Sequence, residues 1–97
     1  MIVSRENSKI SMFFQNGYSI SIIFGWGSYT DNRNHPKMND LSKEYEVTSS
    51  TVEIAIFDSN NNWYNFETEK FEKDSTDVAG YISIDDLAEW IYKVKSF

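Results

Sequence analysis

The chain has 97 residues, 40% hydrophobic and 16% aromatic, which suits one small folded domain over residues 1–97 and is too apolar for a disordered segment. Nine basic residues against fifteen acidic ones leave a net charge of −6, and there is no cysteine, so a disulfide framework, thiolate metal sites and a Cys nucleophile are excluded. With a pI near 4.6, direct binding to nucleic acid or to an anionic membrane is not expected. The first eight residues lack the apolar run of a signal peptide and no stretch reaches membrane-spanning length, so a cytoplasmic location is expected.

Ile10, Met12 and Phe14 alternate with polar neighbours, as do Tyr18, Ile20, Ile22 and Phe24; both are period-two patterns of half-buried strands. Gln15-Asn16-Gly17 between them reads as a hairpin loop. A two-residue turn would put the two apolar stripes on opposite faces of the sheet. A three-residue loop pairs Phe14 with Tyr18, Met12 with Ile20 and Ile10 with Ile22 on one face, so burial selects it. Its last position needs a positive φ, and Gly17 stands there.

Val52, Ile54 and Ile56 predict a third strand, and Trp63-Tyr64-Asn65-Phe66 a fourth after the polar loop 58–62. Pairing Ile56 with Tyr64 aligns their apolar side chains. Residues 67–77 are charged and read as a surface excursion pinned by Phe71, and Gly80-Tyr81-Ile82 as a short final strand. Ser83 then caps a helix, with Asp86 at its third position. Ile84, Leu87, Ala88, Ile91 and Val94 fall on one stripe with Trp90 at its edge, and Asp85, Asp86, Glu89 and Lys93 face outward. The predicted class is α+β: an antiparallel meander of four to five strands with one C-terminal amphipathic helix packed on one face. An unpaired edge strand leaves a homodimer open.

Charge is uneven along the chain. Residues 1–43 carry five cations against three acids, and residues 44–97 four against twelve. Such an acidic half either keeps the surface soluble or docks on a basic partner. The connection from 25 to 48 is long for a compact domain, and long loops are disproportionately functional. Within it Trp26 and Tyr29 offer stacking surfaces, Arg33 and Lys37 can meet a phosphate or carboxylate, and Ser28, Thr30, Asp31, Asn32 and His35 add donors and acceptors. Trp26, Tyr29, Asp31, Asn32, Arg33, His35 and Lys37 form the candidate binding set. The competing reading is a surface loop whose Trp26 closes the core and whose Asp31 and Asn32 shape turns.

Catalytic constellations are sparse. His35 is the single histidine, so any Ser-His-Asp triad would rest on it. Gly25-Trp26-Gly27 lacks the third glycine of a dinucleotide fingerprint, and no phosphate-cradling Gly-x-x-x-x-Gly-Lys occurs. Asp74-Ser75-Thr76-Asp77 is not a calcium-loop ligand set, and Asp85 with Asp86 is explained by capping. No cofactor, metal or catalytic residue is expected.

Four strings, Asn16-Gly17-Tyr18-Ser19-Ile20-Ser21-Ile22, Tyr29-Thr30-Asp31-Asn32-Arg33, Val52-Glu53-Ile54-Ala55-Ile56-Phe57 and Val78-Ala79-Gly80-Tyr81-Ile82-Ser83, resemble small uncharacterised accessory proteins of tailed bacteriophages. The resemblance spans most of residues 10–95. It implies a protein at work in the host cytoplasm, of the kind that binds and inhibits a host protein such as a defence enzyme, with Tyr29–Arg33 as the candidate contact. Two functions follow as expectations. One is a non-enzymatic binder of a host protein, using the acidic face or the 25–37 loop. The other is a small-molecule site in that loop that sequesters or hydrolyses a signalling nucleotide.

Overall fold

Alternation of apolar and polar residues builds the central strands of this molecule. The computed structural model describes residues 1–5, 9–25, 28–30 and 49–97. Among them seven strands precede one helix: β1 (Ile2–Arg5), β2 (Lys9–Phe13), β3 (Ser19–Ile23), β4 (Thr51–Phe57), β5 (Trp63–Asn65), β6 (Lys70–Glu72), β7 (Ala79–Ser83) and α1 (Ile84–Lys95). The first six strands form a meander in chain order. β7 returns to pair with β4, so β4 carries β5 at one end and β7 at the other. All pairings are antiparallel. The class is the expected α+β sheet with its C-terminal helix packed against one face.

The register of the first hairpin follows burial. Ile10 pairs with Ile22 and Met12 with Ile20, Phe14 N donates to Tyr18 O at 2.9 Å and Gly17 N to Phe14 O at 3.1 Å, and Gly17 sits at φ 90°. The three-residue loop thus keeps both stripes on the helix side. Phe57 pairs with Trp63, the register that places Tyr64 opposite Ile56.

Three expectations need correction. The sheet has seven strands rather than four to five, because β1 extends its N-terminal edge and β6 its other edge. Residues 67–77 are not all excursion: β6 folds back on β5, pairing Tyr64 with Phe71. The helix is also rotated from the predicted stripe. Val94 is fully buried and Leu87, Trp90 and Ile91 are packed against the core, whereas Ile84 is 51% exposed and Ala88 also faces out. The cause is aromatic docking. Trp90 meets the edges of Tyr64 and Phe66 at 6.0 and 5.3 Å, and Phe97 reaches Tyr18 and Phe71 at 5.3 and 5.6 Å. Large rings carry more buried area than Ile84 or Ala88 would and set the roll of the helix.

Ser83 caps α1 as expected, its Oγ accepting from Asp86 N at 3.1 Å. Asp85 and Asp86 occupy the first turn and Lys93 and Lys95 the last, matching the helix dipole. The core comprises Ile20, Ile22, Val52, Ile54, Ile56, Tyr64 and Val94. Each fully buried isoleucine contributes about 1.5–3 kcal/mol relative to exposure. No helix is long and apolar enough to cross a membrane among the described residues.

Candidate functional site

Of the predicted binding set, Trp26, Asp31, Asn32, Arg33, His35 and Lys37 lie outside the described residues. Tyr29 lies within them. Its backbone is locked to β7, because Tyr81 N donates to Tyr29 O at 2.8 Å, and its ring is 49% exposed. Gly80 makes that approach possible: a Cβ at Gly80 would stand 2.6 Å from Tyr29 Cβ, closer than any side chain tolerates. The neighbouring hydroxyls do not join Tyr29 at the surface. Ser28 and Thr30 are buried, Ser28 Oγ donates to Gly25 O at 2.6 Å, and the two hydroxyls lie 2.7 Å apart. Those groups, read from the sequence as ligand donors and acceptors, are tied inward and brace the turn after β3.

A second feature was not legible as a site in the chain order. The β5–β6 hairpin and the segment after it enclose an open depression of about 560 Å³, lined by Glu67, Glu72, Asp74 and Asp77 together with Lys73 and Asn65. Four acidic residues and one lysine line it. The walls are held by short local bonds. Asn65 Oδ1 accepts from Glu67 N and Thr68 N, both at 2.9 Å. Thr68 Oγ1 donates to Glu72 Oε1 at 2.7 Å, and Asp77 Oδ2 accepts from Phe66 N at 2.8 Å. Asx chemistry of this kind fixes turn geometry without help from a core. Phe71, on the other face of the short β6, anchors the hairpin from below through rings at 5.2 Å from Tyr64 and 5.3 Å from Tyr18.

The arrangement presents concentrated negative charge on a rigid rim. No group of three or more His, Cys, Asp or Glu side chains positioned to hold a metal ion occurs among the described residues. The exposed Tyr29 and Tyr81 rings belong to the β7 side of the sheet and the acidic rim to the β5–β6 side, so the acidic residues and the loop aromatics sit on separate elements. In comparisons with known proteins, no family model, curated protein or solved structure matches the chain.

Proposed function

We propose that the protein is a non-enzymatic binding module that docks its acidic β5–β6 end on a basic surface of another protein and so blocks that partner. The observation that carries this reading is the convergence of Glu67, Glu72, Asp74 and Asp77 around one depression whose backbone is already braced. Preorganised charge loses little entropy on association and steers a basic partner toward it. The resemblance of the Tyr29–Arg33 and neighbouring strings to small tailed-phage accessory proteins supplies the partner class: a host protein, of the defence type.

The test is charge reversal at two exposed positions remote from the core. Glu67→Lys with Asp74→Lys is expected to weaken capture of the host partner by about tenfold and to flatten the salt dependence of the association rate, with the melting temperature unchanged. Capture that is equally strong and equally salt-sensitive in the double variant overturns the assignment.

A further inference from the structure

The sheet face opposite α1 carries a groove that the acidic rim does not use. Strand alternation sends Lys9, Ser11 and Phe13 of β2, Ser19 and Ser21 of β3, and Ala55 and Phe57 of β4 to that side. In register, Phe13 stands beside Ser19 and Ser19 beside Phe57, while Ser11, Ser21 and Ala55 make the next row. Two phenylalanines therefore stand two strands apart, about 9.6 Å by strand spacing, with only a serine between them. The space is a groove of about 170 Å³ bounded by Phe13, Phe57, Ser19, Ser21, Lys9 and Asn61. A void of that order holds one planar ring.

The floor is polar and unused. Ser19 and Ser21 are 8% and 6% exposed. Among the described residues neither hydroxyl has a hydrogen-bond partner, and both serines line the groove. One wall is pinned by a ring contact and the other at its backbone. Phe57 is held edge-on by Trp63 at 4.7 Å, and Phe13 exchanges two hydrogen bonds with Met1, Phe13 N to Met1 O at 2.8 Å and the N-terminal ammonium to Phe13 O at 3.0 Å. Lys9 stands four residues from Phe13 along β2, about 13 Å away, in a row that Ile23 and, two strands over, the 8% exposed Glu53 complete, so the ammonium lies at the β2 side of one end of the groove and the aromatic walls at the other end.

We infer that this groove binds a mononucleotide, its base slotted between Phe13 and Phe57 over the Ser19 and Ser21 hydroxyls and its phosphate directed along the Ser11–Ser21 row to Lys9. A base supplies a flat face for the rings and edge groups for hydroxyls of either polarity. The phosphate suits a lysine acting as a point charge. The chain's net charge of −6 disfavours a polynucleotide with many phosphates over a ligand with one.

Amide chemical-shift mapping of the full chain with AMP, adenosine and ribose 5-phosphate tests this. AMP is expected to shift the amides of Phe13, Ser19, Ser21 and Phe57, whereas ribose 5-phosphate leaves them in place. Ser19→Val, which fills the slot with a good strand former, and Phe13→Ala, at a largely exposed ring, should each weaken AMP by about tenfold or more. Lys9→Gln should weaken AMP but not adenosine. The inference is overturned if AMP moves none of these amides at millimolar concentration, if it binds both the Ser19→Val and the Phe13→Ala variant as it binds the parent, or if ribose 5-phosphate binds as well as AMP. Tighter binding of a short single-stranded oligonucleotide than of AMP also overturns it.

Discussion

Single side chains in this small domain do the work that a larger core would share. Asn16 is the clearest case. Its Oδ1 accepts from Tyr18 N at 3.1 Å, shaping the first hairpin, while its Nδ2 donates to Val94 O at 3.0 Å. One residue thus shapes a turn and adds a side-chain donor to the Val94 carbonyl at the end of α1, which Phe97 N also reaches at 3.3 Å. Asp58 plays the matching part in the second hairpin. Its Oδ1 accepts from Asn60 N and Asn62 N and its Oδ2 from Asn62 Nδ2, all at 2.9 Å. Partial burial pushes the Asp58 carboxyl up. The bonds from the Asn62 side chain, the Asn62 backbone and the Asn60 backbone outweigh that effect and hold it below its ordinary 3.8. A carboxylate held low in the native state contributes stability that is present above the unfolded value and lost as the pH falls through the native one. Asp58→Ala is therefore expected to cost about 1 kcal/mol at neutral pH. In urea titrations the gap between variant and parent should close as the pH falls below 3.8; a gap of constant size would show that the carboxylate bonds do not carry the loop.

At the scale of elements, the roll of α1 decides which substitutions matter. Val94 is 0% exposed and Ile84 51%, although both lie on the stripe that helical spacing draws from the sequence. Val94→Ala is expected to cost about 2 kcal/mol through lost burial and a residual cavity. Ile84→Lys should stay within about 0.5 kcal/mol of the parent, as surface substitutions do. Thermal melts of the two variants measure this directly, and equal losses would restore the unrotated helix. The contrast also shows how far the sequence could be read. β2, β3 and β4 were legible because each alternates for long enough, and the choice between two hairpin loops had a burial consequence large enough to settle the register. β6 was not, since Phe71 between Lys70 and Glu72 is a single apolar residue and no period can be drawn from one. The helix stripe was misplaced because Ile84 and Ala88 satisfy helical spacing as well as Trp90 does. What separates them is the docking of Trp90 on Tyr64 and Phe66, a tertiary fact. Within the 25–37 loop the described residues are 25 and 28–30, and there the Ser28 and Thr30 hydroxyls meet each other, a pairing that composition does not foretell. The acidic face was expected from the charge count, but its gathering on one rim was not legible, because the hairpin that brings residues 65–77 together could not be read from the sequence.

For the molecule as a whole, Tyr64 is the point where sheet, helix and acidic end meet. It is 3% exposed, its ring lies against Phe66, Phe71, Trp90 and Phe97, and it belongs to the strand that carries the acidic hairpin. Burial first, and then the negative charge of Glu69, push its phenol above the ordinary 10.0. The native state thus favours the neutral phenol more than the unfolded chain does. The associated stability is fully present below 10.0 and lost as the pH rises through the raised native value, because unfolding then releases a proton that the core was retaining. Alkaline unfolding should therefore be steep in the parent, and the midpoint in urea should fall with rising pH above 10.0. Tyr64→Phe keeps the ring contacts and removes the ionisable group, so its midpoint should fall less over the same range. Glu69→Gln removes only the smaller of the two causes and should lie nearer the parent. Parallel curves for parent and Tyr64→Phe would mean that the domain loosens at high pH somewhere other than this aromatic hub, and that the acidic hairpin is not coupled to the core through Tyr64.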